Sequence, residues 1–166
     1  MPVKNPKELF VLLLSHVRQG TERSEKLFQE LGEIAQHPEI ADALKARAFV
    51  SERTLEKVNE AFRLIGEKPV TLSGRLEDVL VEDFRKELSE IQSPEAKRLF
   101  VLATANRVIH LRIGEYVALV AAGDLSGHYG VGVLLESCLA DTLAFVERTK
   151  RLIRNIIETR VAARSA

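Results

Sequence analysis

Proline in this chain falls where helices should begin. Asn5-Pro6 reads as an N-cap followed by a first helical residue, and Pro38 and Ser93-Pro94 repeat the pattern. Each start is followed by apolar residues at helical spacing, whereas strand punctuation is nearly absent. The spacing predicts long helices over about 6–36, 38–66 and 94–122, and a last one that begins around the turn Gly127 to Gly130 and covers about 128–162. Gly66 with Pro69 behind it should stop the second, and Gly123-Asp124 the fourth. A shorter acidic amphipathic stretch, about 75–92, carries Leu76, Val79, Leu80 and Phe84 as its apolar stripe.

Two helical hairpins joined by a long connection with its own short helix make an all-α, ferritin-like four-helix bundle, expected as a single domain over 1–166. The inward faces are uneven. Leu9, Leu13 and Val17 are followed by Gly20, Thr21 and Ser24 before Leu27 or Phe28, Leu31 and Ile34 resume the apolar stripe. The second helix carries Ile40, Leu44, Arg47, Ser51, Leu55, Val58, Phe62 and Ile65, and it too turns polar in its middle. The fourth is apolar on nearly every side, which places it in the most buried position. Yet within it RVIHLRIGEY, residues 107–116, holds Arg107, His110, Arg112 and Glu115.

The charge balance removes some functions. Lys and Arg total 24, as do Asp and Glu, so no global field draws the chain to nucleic acid or anionic lipid. Cys138 is the lone cysteine, which excludes an intramolecular disulfide and a cysteine metal cluster and fits a cytoplasmic location. LFVLLL at 9–14 is too short for a signal core, and no run is expected to approach a membrane span. From Glu147 to Arg164 six basic residues face two acidic ones, with Leu152, Ile153, Ile156, Ile157 and Val161 between them. Cations suit a helix C-terminus, so this segment reads first as the end of the bundle or a dimer contact. A surface for anionic lipid, nucleic acid or a partner protein is the lesser alternative.

ELFVLLLS at 8–15, FRLIGEKP at 62–69, RVIHLRIGEY at 107–116 and LLESCL at 134–139 occur in an order that resembles the YciE/YciF-type ferritin-like family, bacterial stress-associated proteins of poorly defined function. The resemblance covers nearly the whole chain, and its most specific piece keeps Arg107, Val108, His110, Ile113 and Tyr116. A ferritin-like dinuclear site needs several carboxylates and histidines converging in mid-bundle. Placed on the family pattern, this chain offers Thr21, Val50, Thr54, Ile109, Arg112, Thr142 and Val146 at the ligand positions. The resemblance therefore implies a degenerate site with no metal, no cofactor and no catalytic residue. Residue chemistry agrees: hydroxyls cannot balance two divalent cations, and a guanidinium would repel them. Thr21, Ser51, Thr54 and Thr142 should instead line a hydrogen-bonded layer. Arg112 is expected to be buried and paired with Asp141 or Glu115, because an unpaired buried guanidinium is costly.

Other candidates carry weaker signals. His110 lies one position off the Ile109–Arg112 face and reads as packed or superficial. His16, Glu22, Glu25 and Glu52 could form an alternative metal group but match a common Glu-rich helix surface. His128 and Tyr129 in GHYGVG lack the strand context of a phosphate loop, and Cys138 lies on the inward stripe without a His-Asp arrangement. The expected function is a non-catalytic binding or assembly module, stress-associated by resemblance and working as a homodimer or small symmetric oligomer. The alternative is a metal-dependent oxidase or peroxidase-type enzyme built on displaced carboxylates such as Asp141, Glu115 or Glu22. A DNA-protecting stress protein, which would bind DNA in a salt-dependent way, is a third reading.

Overall fold

A computed structural model describes the backbone of residues 3–165 and the side chains of residues 3–158. Five helices follow in order: α1 Pro6–Ile34, α2 Pro38–Ile65, α3 Arg75–Glu90, α4 Pro94–Leu125 and α5 Tyr129–Ser165. The proline starts are capped as the local chemistry requires. The Asn5 side chain accepts from the Glu8 amide at 2.9 Å, and Glu8 returns a bond by accepting from the Asn5 amide group at 3.0 Å. Ser93 accepts from the Ala96 amide. Gly66 ends α2 in the left-handed conformation, φ 70°.

The end of α4 differs from the reading of the sequence. Gly123 lies inside the helix, where a Cβ would come within 3.2 Å of the Phe10 ring, so this glycine serves close packing. Gly127, with φ 76°, makes the turn instead. The apolar stripe of α3 is also rotated. Leu76 and Val79 face solvent, Phe84 is buried and stacks on Phe100 with ring centroids 5.7 Å apart, and Leu80, Val81 and Leu88 pack on the core.

α1 packs on α2 and α4, and α5 packs on α4 and α2, so the four long helices close a ring. Their direction follows from which residues share a core. One apolar cluster joins the end of α1 (Phe28, Leu31), the start of α2 (Ile40, Leu44), the start of α4 (Leu102, Ile109) and the distal half of α5 (Phe145, Leu152). The other joins the opposite ends, with Phe10, Leu14, Val58, Phe62, Tyr116, Leu119 and Leu135. Neighbours are therefore antiparallel, and the connection from α2 to α4 must travel the length of the bundle. α3 lies in that crossover and touches α1 and α4. This is the four-helix, single-crossover arrangement of ferritin-like folds.

By length and composition Tyr129–Glu158 of α5 could cross a membrane, contrary to the expectation that no run comes near a span. Its charges are spread thinly enough for an apolar window to form. Val131, Leu135, Phe145 and Val146 in that segment are buried in the bundle, as in a core helix. Arg160, Val161 and Arg164 of the basic C-terminal segment lie outside the described side chains.

Candidate functional site

Between the two apolar clusters every long helix turns polar at the same level. Gly20, Thr21 and Ser24 come from α1, Arg47, Ser51 and Thr54 from α2, Arg112 from α4 and Thr142 from α5, and all are buried. Two hydroxyls satisfy themselves on their own helix: Ser24 Oγ donates to the Gly20 carbonyl at 2.6 Å, and Thr142 Oγ1 to the Cys138 carbonyl at 2.7 Å. Ile109 and Val146 belong to the adjoining apolar cluster. Val50 does not face this layer. It is only half-buried, because Arg47, Ser51 and Thr54 define the inward stripe of α2 and position 50 lies about 100° round the helix from 51.

Arg112 is the centre of one half of the layer. It is only 2% exposed. Its guanidinium packs against α1 at Gly20, where an added Cβ would overlap Nη1, Cζ and Nη2. Nη2 donates to Glu77 Oε1 of α3 at 3.0 Å, and Nη1 stands 2.6 Å from Glu115 Oε2 one turn along α4, close but not aligned as a hydrogen bond. The two carboxylates are 14% and 20% exposed, so the triad is shielded on most sides. Burial pushes the Glu115 carboxyl above the usual carboxylate range, Arg112 pulls it down, and Glu77 pushes it up again. Glu77 is steered by Arg23, which stands 4.0 Å from it, reaches Asp78 at 2.7 Å and donates to the Gly74 carbonyl. Arg112 thus ties α1, α3 and α4 together.

Asp141 is not the partner of Arg112. It is 48% exposed and meets Lys57 of α2 at 3.4 Å, since a residue adjacent to the inward Thr142 is rotated out of the bundle. The other carboxylates considered for a displaced centre also point apart. Glu22 is on the surface beside Arg18 at 3.6 Å, and Glu52 is exposed. Among the described residues no three His, Cys, Asp or Glu side chains converge at metal-binding distance. His110 is exposed, with Nδ1 2.8 Å from the Asn106 carbonyl of its own helix. His128 packs beside the Phe10 ring at 5.3 Å, while Tyr129 is exposed. Cys138 is buried, and burial pushes its thiol up, away from the thiolate.

A second guanidinium occupies the other half of the layer. Arg47 is 4% exposed and lies between the Phe28 and Phe145 rings, 5.9 and 5.8 Å from their centroids. Its Nε and Nη1 have no hydrogen-bond partner among the described residues, and neither does Ser51 Oγ one turn further along α2. The Tyr116 hydroxyl is buried without a partner as well, near Thr21 but outside hydrogen-bonding geometry. Burial raises the Tyr116 phenol far above its ordinary value and lowers the Arg47 guanidinium, and the facing Tyr116 works against that lowering.

Arg47, Gly20, Glu77 and Tyr116 complete the site and were not assigned to it from sequence. Arg47 interrupts an otherwise apolar stripe, and Gly20 is a mid-helix glycine; both were visible signals. Glu77 had none, because nothing local encodes how the crossover helix docks.

The sequence profile of a family described as a domain of unknown function, DUF892, matches residues 5–162. No curated protein matches the chain in sequence. Among solved structures it is similar to the stress protein YciF of E. coli, with TM-score 0.88 at 18% identity over 94% of this chain and 99% of that one. It is also similar to YcfI of Rhodopseudomonas palustris, with TM-score 0.85 at 19% identity over 89% and 94% of the two chains. A protein of Xanthomonas campestris matches with TM-score 0.72 at 18% identity over 94% and 99%.

Proposed function

The chain belongs to the DUF892 family, and from that premise we propose that it is a non-catalytic member, a binding or assembly module in which a buried guanidinium stands where a ferritin-like bundle would hold a dinuclear metal centre. The observation that supports this most is the occupation of the mid-bundle by Arg112, with both nearby carboxylates, Glu77 and Glu115, engaged on that one cation. A guanidinium carries a fixed charge and planar donors, so it can bridge carboxylates from two helices as a metal would. Unlike a metal, it offers no open coordination position and no bound water to activate. Such a centre holds a fold together and does no chemistry.

The assembly part of the reading rests on the outer face of α4 and α5, where Val117, Leu125, Tyr129 and Val133 are exposed. A stress setting is carried over from the similarity to YciF. The enzyme alternative would require Asp141, Glu115 and Glu22 to converge, and each is engaged with a different cation, Lys57, Arg112 and Arg18 respectively. The test is thermal melting and light scattering of purified protein before and after exhaustive chelation. An unchanged Tm and oligomeric state are expected. A fall in Tm of about 5 °C or more on chelation, restored by iron or manganese, contradicts the reading.

A further inference from the structure

Arg112 has its counterions, but Arg47 has none. Among the described residues no carboxylate lies within ion-pair distance of Arg47; Asp141, the nearest acidic influence on it, is half-exposed and held by Lys57. Two aromatic faces offset part of the desolvation of this charge but leave Nε and Nη1 without acceptors. Ser51 Oγ, one helical turn away on the same face, can donate, and Tyr116 of α4 is near enough to Arg47 to act on it electrostatically. Ser51 Oγ has no partner among the described residues, and the Tyr116 hydroxyl lies beside Thr21 and Cys138 without a hydrogen bond of good geometry. The surroundings thus hold an unpartnered hydroxyl and, among the described residues, no carboxylate within ion-pair distance, the reverse of a cation site.

We propose that Arg47, with Ser51 and Tyr116, forms a binding site for one small monovalent anion of halide class in the middle of the bundle. One uncompensated charge asks for one negative charge. Arg47 is 4% exposed and flanked by the Phe28 and Phe145 rings, surroundings that favour a weakly hydrated ion over a strongly hydrated oxyanion and strengthen the attraction once the ion is desolvated. The site differs from any metal centre in sign, and its charge is Arg47 of α2 rather than Arg112 of α4.

The experiment has two arms on the full chain. Thermal melting at constant ionic strength, exchanging gluconate for chloride or bromide from about 1 mM to about 100 mM, should raise Tm by about 5 °C with halide. Arg47→Met, which keeps the volume and removes the charge, should abolish that rise. In the second arm, crystals of the unmutated protein grown in bromide should show an anomalous peak within hydrogen-bonding distance of the Arg47 guanidinium. This arm decides the matter if Arg47→Met does not fold. Equal Tm in gluconate and bromide, a halide-specific rise that survives in a folded Arg47→Met, or bromide peaks confined to the surface would each overturn the proposal. Loss of the anion site would leave the metal-free reading of Arg112 untouched, because the two rest on different residues.

Discussion

Gly20 and Arg112 define each other. A glycine in the middle of a long helix weakens it by up to about 1 kcal/mol relative to alanine, so Gly20→Ala on an isolated helix would be favourable. Here the sign reverses, because the new Cβ would overlap the Arg112 guanidinium, which is held by Glu77 and Glu115 and cannot swing away freely. Gly20→Ala should destabilise by about 2 kcal/mol, and the loss should largely vanish in Gly20→Ala with Arg112→Met. Urea unfolding of the four proteins in this cycle checks it; an additive cycle would show that the two residues do not meet. Glu115 supplies a second test. Its folded pKa is raised, so its share of stability is full below the unfolded value near 4.5 and is lost as pH rises through the higher folded value. Glu115→Gln should therefore flatten the stability profile from pH 4.5 upward, a difference that melts across that range will show. At this scale the sequence marked Arg112 as buried and Thr21, Ser51, Thr54 and Thr142 as a hydrogen-bonded layer; all are buried, but Thr142 bonds its own helix and Ser51 Oγ has no partner among the described residues. It misled at Asp141 and Val50, where one residue's rotation around a helix decides between core and surface.

The crossover helix is the element least secured by packing. Phe84 is its one fully buried side chain among the described residues; Leu80, Val81 and Leu88 pack on the core only in part, and ion pairs supply further hold: Arg112 and Arg23 on Glu77 and Asp78, Arg85 on Glu30 at 2.8 Å, and Arg107 on Glu87 at 3.7 Å. The outer pairs are exposed and screened by salt, whereas the Glu77 pair is shielded. Amide exchange should open α3 before the four long helices, faster in high salt, and Glu77→Gln should speed it about tenfold or more. Equal protection of α3 and α4 in that variant would show that Phe84 and its apolar neighbours hold the crossover without the Glu77 pair. The helix itself was readable from its amphipathic period. Its rotation was not, because an acidic helix with Leu76, Val79, Leu80, Val81 and Phe84 presents two overlapping apolar stripes, and only the position of Phe100 and Arg112 selects one.

For the whole molecule, the arrangement of two hairpins and a long crossover followed from punctuation and periodicity because each long helix is locally self-consistent. The exposed α4–α5 face bears on how copies meet. A homodimer formed there should fall apart in Val133→Asp with unchanged helical circular dichroism, as light scattering at micromolar concentration will report; a monomeric parent protein would refute that arrangement. If a guanidinium has taken the place of a metal centre, metal stoichiometry will show it. The protein would be expressed in iron- and manganese-supplemented medium, passed through gel filtration and measured by mass spectrometry. It would then be measured again after anaerobic ferrous loading and exposure to oxygen. Substoichiometric metal that a chelator removes, with no ferric absorbance band, is the predicted result, whereas a value near two metals per chain or an oxygen-dependent ferric band would contradict the claim.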